Sequence, residues 1–243
     1  MEATEQSIAD DLAALGVESG DVLFTHASYK SLGPVAGGAE SVIRAMERTV
    51  GRDGTLLMPS FTLSSRDRDE RARLWDRENS ASTVGWLTEC FRALPGTVRS
   101  DHYSHSVCAR GNRAEYFVSG HTDRVGPVSP WDREPWGRTY GDNSPMVRAY
   151  REATGKVLML GVDYDSATYC HLVEVLYWNR RLVFDSRAEY LWSDREAVGA
   201  EWDRSGWLSR GRIAQADCRL FGIAAFVDTV LEWVETDPSP FLR

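Results

Sequence analysis

Val157-Leu158-Met159-Leu160 is an apolar run with the length and flanks of a buried strand, and it stops at Gly161, where a polar loop begins. That loop carries Asp163, Asp165 and Thr168 and leads into a predicted helix, His171 to Asn179. A buried strand feeding a helix points to an α/β or α+β fold, and a titratable imidazole just beyond such a strand is where that fold would place a base. His171 is therefore the first catalytic candidate.

Asp21-Val22-Leu23-Phe24-Thr25-His26 predicts a short strand entering a loop, Ala27 to Ala39, rich in small residues: Ser28, Ser31, Gly33, Gly37 and Gly38. With the helix Glu40 to Val50 behind it, the loop is either a plain connection or a cradle whose backbone N–H groups hold phosphates. It is neither a Walker A sequence nor a GxGxxG fingerprint, which disfavours a P-loop NTPase or a dinucleotide enzyme. Thr55-Leu56-Leu57-Met58 is a second buried strand ending at Pro59. Beyond it, Ser60 to Asn79 is polar and crowded with charge from Arg66 to Arg73. The stretch is a solvated loop or short helix, and its place at a strand's end makes it a candidate lid or substrate wall.

Residues 4 to 16 put Ile8, Leu12 and Leu15 at helical spacing behind a Ser7 cap, with Gly16 as the stop. Val84 to Leu94, Asn112 to His121 and Ile213 to Thr236 carry helical patterns too, and Ser144-Pro145-Met146 opens a short helix. Arg181 to Glu201 has the uneven alternation of antiparallel strands, Leu182-Val183-Phe184 and Tyr190-Leu191-Trp192. The expected architecture is one domain over residues 1–243, a central mixed sheet flanked by helices, with a smaller antiparallel β subregion near 180–205.

His102 and His105 are spaced like half a metal site, but no third ligand follows at suitable spacing, so a pocket-lining loop is expected and no metal. The cysteines Cys90, Cys108, Cys170 and Cys218 form no CxxC pair and are expected to be small buried hydrophobes. A net charge of -8 speaks against a nucleic-acid partner and suits a cationic small substrate. No apolar run is long enough to span a membrane, and Met1-Glu2-Ala3-Thr4-Glu5 lacks a signal-peptide pattern, so a cytoplasmic monomer or homodimer is expected.

Four blocks, taken in order, resemble the aminoglycoside 3-N-acetyltransferases, a fold distinct from the GNAT superfamily. His26 to Gly38 is similar to the family's HSSxSSLGxVxGG loop, and Gly51 to Ser60, GRDGTLLMPS, to its GxxGTLxMPS strand. Arg99 to Gly111 resembles RSxHPxHSxxAxG, and Lys156 to Glu174 resembles GxVLLLGVxxDxNTxLHLAE. The resemblance implies transfer of an acetyl group from acetyl-CoA (coenzyme A) to a primary amine through a ternary complex. The expected acceptor is the 3-amino group of an aminoglycoside antibiotic. The family's catalytic histidine falls on His171, and its orienting acid on Glu201 or Asp203. Its coenzyme loop falls on Ser28, Ser31, Leu32, Gly33, Val35, Gly37 and Gly38, with Ser106 and Val107 nearby. Asp67, Asp69, Asp101 and Tyr103 are the substrate-side candidates. Ala27, Tyr103 and Ala167 depart from the family's serine, proline and asparagine, all on the acceptor side.

An alkylammonium is not nucleophilic, so amine acetylation needs a group that takes its proton near neutral pH. A carboxylate from Glu201 or Asp203 would fix the His171 tautomer. His102 is a secondary catalytic candidate. The Gly/Ser loop's N–H groups or the Ser106 hydroxyl are candidate donors to the developing oxyanion. Cys170 should face away from its neighbour His171 on a helix, which disfavours a Cys-His nucleophile. Three alternatives remain: a biosynthetic acyltransferase of the same fold with another amine, a non-catalytic CoA-binding protein, and a hydrolase using His102 or His171.

Overall fold

The computed structural model describes residues 2–65 and 67–243; Met1 and Arg66, the latter at the head of the charged run, lie outside it. Among the described residues, seven strands form one mixed sheet. They are β1 (Val22–Ala27), β2 (Thr55–Pro59), β3 (Val98–Arg99), β4 (Val107–Gly111), β5 (Gly155–Leu160), β6 (Ser209–Ile213) and β7 (Ala216–Gly222), in the spatial order β3-β4-β2-β1-β5-β7-β6. The central three run parallel, with Val22 beside Thr55 on one side and Gly155 on the other. The flanking strands are antiparallel. Ala27, Pro59 and Leu160 therefore end at one edge of the sheet, and the loops leaving that edge converge.

Alternation along each strand sorts side chains onto two faces. Phe24, Leu57, Val157 and Met159 join one core with α7 (Thr168–Phe184) and α9 (Ile223–Thr236). Leu23, Leu56, Leu158 and Leu160 join the other, covered by α1 (Glu5–Leu15), α2 (Gly38–Val50) and α4 (Trp86–Ala93). Both faces of the parallel strands are thus covered, which is why those strands are continuous apolar runs in the sequence. Thr4 rather than Ser7 caps α1; Ser7 closes the reciprocal bond to the Thr4 backbone, and Gly16 ends the helix in the left-handed region at φ 113°. Asp67 caps α3 (Arg68–Leu74), α5 (Ala114–Val118) is shorter than its pattern predicts, and Ser144 caps α6 (Pro145–Tyr150).

The antiparallel subregion expected near 180–205 does not form. Leu182, Val183 and Phe184 are the last turn of α7, with Val183 and Phe184 exposed, and α8 (Arg195–Ser205) follows. Branched and aromatic residues give those positions a strand signal, but Leu182 to Phe184 continue the helix begun at Thr168. The antiparallel pair is instead β6 and β7, joined at Ala214 and Gln215, with Ala214 at φ 52°. Its edge strand is exposed and arginine-bearing, a composition that protects an edge from further pairing and hides it from pattern analysis. The predicted helix from Ile213 begins only at Ile223. No helix among the described residues is long and apolar enough to cross a membrane.

Candidate active site

A cleft of about 520 Å³ opens where the parallel strands end. His26 and Ala27 come to it from β1, Pro59 from β2, Thr168 and His171 from α7, and Arg195 from α8. The inward-facing His26 accepts a hydrogen bond at Nε2 from Thr168 N at 3.3 Å, which pins the start of α7 over the strand ends. Burial, with the nearby Arg195 guanidinium, pushes the His26 imidazole down to about 3, so it serves as a neutral acceptor.

His171 lies one turn into α7. Its Nδ1 is 2.7 Å from Oε2 of Glu174, three residues on and therefore on the same helix face. Glu174 is buried, and also accepts from Tyr190 Oη at 2.7 Å and Ser193 N at 2.9 Å. Burial alone would raise its carboxyl; the hydrogen bonds from His171, Ser193 N and Tyr190 outweigh it and hold the group below the ordinary carboxylate range. Arg195 Nη2 stands 2.6 Å from His171 Nε2, and its Nη1 donates to Asp165 O. A carboxylate only accepts and a guanidinium only donates, so both contacts select one tautomer, with the proton on Nδ1 and a lone pair on Nε2. Trp131 packs edge-on to the ring at 4.8 Å between centroids, and His105 and Trp192 stand at 6.3 and 6.0 Å.

The acid beside His171 is thus Glu174, not Glu201 or Asp203. Asp203 accepts from Tyr164 Oη at 2.7 Å and from Arg219 at 3.1 Å, and Glu201 pairs with Arg204. Both sit on α8, and neither is bonded to His171. His102 does not line the cleft either. It is fully buried, accepting at Nδ1 from His105 N at 3.1 Å and meeting Thr139 Oγ1 at 3.2 Å through Nε2. Burial, with His121 and His105 beside it, holds its imidazole well below the ordinary value. Tyr103 is buried and donates to Trp131 O at 3.0 Å, so it braces the cleft's aromatic wall from behind. Asp101 accepts from the indoles of Trp75 and Trp136, Asp67 caps α3, and Asp69 pairs with Arg133. The carboxylate that does line the cleft is Asp165.

A second groove of about 380 Å³, lined by Ala27, Ser28, Tyr29, Lys30, Gly85 and Trp86, meets the first at Ala27. Beside it a Cβ on Gly85 would come 3.3 Å from Ala27 O, a close approach that glycine permits at φ 139°. Lys30 supplies a cation and Trp86 an exposed indole, a donor set that fits a long ligand with phosphates and a base. Among the expected coenzyme residues, Ser28 lines this groove, and Ser31 braces it by donating to Ser28 O at 2.6 Å. Gly33 packs against Gln215, and Gly37 and Gly38, at φ 74° and 68°, turn the chain into α2. Leu32 and Val35 are buried core residues. Ser106 is fully buried, donating to Ser60 O at 2.7 Å and accepting from Arg99, and Val107, the first residue of β4, is buried in the core, so neither lines the cleft or the groove. Cys170 is buried, its thiol pushed up to about 12 chiefly by that burial. No three His, Cys, Asp or Glu side chains among the described residues are grouped to hold a metal ion.

The family model for aminoglycoside 3-N-acetyltransferase matches residues 24–235. An SPbeta prophage-derived aminoglycoside N(3')-acetyltransferase-like protein of Bacillus subtilis (strain 168) is 31% identical over 99% of this chain and 95% of its own length. Aminoglycoside N(3)-acetyltransferase III from Salmonella sp is 34% identical over 71% of this chain and 60% of its own. Among solved structures, AAC-IIIb in a binary complex with CoASH superposes with a TM-score of 0.78 at 26% identity, covering 97% of each chain.

Proposed function

Because this chain belongs to the aminoglycoside 3-N-acetyltransferase family, we propose that it moves the acetyl group of acetyl-CoA directly onto a primary amine, with His171 as the general base. The observation that carries this is the imidazole in the cleft, oriented by Glu174 at 2.7 Å, with its Nε2 lone pair turned toward Arg195. Acetyl-CoA supplies an acyl carbon activated as a thioester. The CoASH complex of AAC-IIIb supports that donor, and the groove along Ser28, Lys30 and Trp86 would hold it.

His171 Nε2 takes a proton from the incoming amine as its nitrogen bonds the acyl carbon; the carboxylate already bonded to Nδ1 stabilises the imidazolium, which returns the proton to the sulfur as the C–S bond breaks and the thiol leaves. A base of this kind contributes on the order of a hundred- to ten-thousandfold. Ser106, committed to Ser60 O, is not available to the developing oxyanion. Tyr29 and Lys30 open a 3-10 turn, where N–H groups have no helical acceptor, and their backbone donors take that part.

The relatives' names make an aminoglycoside 3-amino group the first acceptor to test. A non-aminoglycoside amine is favoured by one observation: Arg195 lines the cleft, where a polycation would need carboxylates and finds only Asp165 among the described residues. Incubation with acetyl-CoA and a panel of aminoglycosides and other primary amines, following thiol release, decides between them. Amine-dependent thiol release that is lost in His171→Ala supports the proposal, and no release with any amine refutes it.

A further inference from the structure

Arg195 is the first residue of α8, where a cation opposes the helix dipole, so helix stability does not account for it. Among the described residues its side chain forms no ion pair with a carboxylate. Its partners are a backbone carbonyl, Asp165 O, and the neutral Nε2 of His171. While it stays there, the lone pair that must take the amine's proton is occupied. A substrate has to move it, and the displaced guanidinium then needs an acceptor.

Two further arginines act on the neighbouring His105. Arg68 donates to Pro130 O, next to the Trp131 wall, and Arg71 keeps its Nε buried with no partner. His105, tilted against Trp131 at 4.8 Å and edge-on to His171 at 6.3 Å, is held well below the ordinary imidazole value by burial first, with His171, His121, Arg71 and Arg68 all acting in the same direction. A polycationic acceptor brings Arg195 more of the charge it already carries. An amine that also carries an anion brings Arg195 a bidentate partner, and a charge-assisted pair is stronger than the bond to a neutral imidazole that it replaces.

We propose that Arg195 selects acceptor amines that bear a carboxylate or phosphate, the anion drawing the guanidinium off Nε2 as the amine arrives. The proposal rests on acetyl transfer at this cleft, deepening that assignment by naming the acceptor's charge class. Arg195 thereby changes from a cap on the base to an anchor for the substrate.

The test is binding to the CoA-saturated protein, by ligand-observed NMR titration, of two matched pairs: phosphoethanolamine against ethanolamine, and β-alanine against β-alaninamide. The expected result is at least about tenfold tighter binding of the anionic member in one pair, which also identifies the anion, with the preference erased by Arg195→Gln and partly kept by Arg195→Lys. Equal or undetectable binding in both pairs overturns the proposal. So does a preference that survives Arg195→Gln, or tighter binding of tobramycin than of every anionic amine. Thiol release from acetyl-CoA in the same samples reports separately on the reaction. An Arg195-dependent preference upholds the anion site even where these probes release no thiol, acetyl transfer itself being decided by the wider amine panel, whereas thiol release without the preference upholds acetyl transfer and overturns the anion site.

Discussion

Oε2 of Glu174 lies 2.7 Å from Nδ1 of His171 and 2.7 Å from Oη of Tyr190, so one buried carboxylate oxygen fixes both a ring on α7 and the segment before α8. The second oxygen takes Ser193 N at 2.9 Å. A carboxylate with this many donors cannot turn, and neither can the imidazole it holds.

Glu174→Gln keeps the shape but offers an amide that can also donate, which no longer enforces the Nδ1–H tautomer. We expect kcat to fall on the order of a hundredfold or more, with the KM for acetyl-CoA nearly unchanged. Steady-state kinetics check this. An unchanged kcat would show that Glu174 holds the fold and not the base.

Acid should unfold the protein early, because His26, His102, His105 and His121 are all buried with lowered pKa values. For His121 the value falls from 6.5 to about 4, so between those values the unfolded chain binds the proton that the folded chain refuses. Stability from this group is therefore complete above 6.5 and declines as pH falls, by about 1.4 kcal/mol per pH unit. Urea unfolding of wild type and His121→Gln from pH 7 to pH 5 measures it, and the variant should show the shallower dependence. Glu174 adds to the acid loss further down: its lowered carboxyl contributes stability above the unfolded value of about 4.3, lost as pH falls through the folded one.

Gly161, where the β5 run stops, is at φ 62°, and a Cβ there would stand 1.8 Å from Ser31 Oγ. Gly161→Ala therefore combines left-handed strain with a clash that pushes the Ser28–Ser31 turn aside. We expect a loss of roughly 1–3 kcal/mol in urea titration and a raised KM for acetyl-CoA. Gly161→Ala/Ser31→Gly should recover the KM more than the stability, since it removes the clash and leaves the strain.

How much of this was legible depends on which force each residue answers to. The parallel strands were, because burial on both faces leaves the continuous apolar signature of Val157 to Leu160. His171 was too, because a helix following such a strand must start above the strand ends. Glu174 was within reach, since residues three apart share a helix face, but the acid was sought some thirty residues downstream instead. Arg195 was not: nothing in its local sequence shows that α8 returns its first residue to the cleft. Nor was β6, whose Ser209-Arg210-Gly211-Arg212 has the polarity of a loop and becomes a strand only because Ala216–Gly222 pairs with it.

Glu174 on α7 and Asp203 on α8 should separate cleanly. Asp203 accepts from Tyr164 Oη at 2.7 Å and pairs with Arg219 and Arg210 at 3.1 and 2.9 Å, and so ties α8 to β7 and to the turn before α7. Asp203→Asn removes that charge from two arginines and should cost on the order of 1–2 kcal/mol of stability. His171 has no contact with it, so kcat at saturating acetyl-CoA should stay within about threefold of wild type. Glu174→Gln should show the opposite ranking in the same assays. A large kcat loss in Asp203→Asn, with kcat preserved in Glu174→Gln, would return the orienting role to α8 and remove the physical basis for His171 as the base oriented from its own helix.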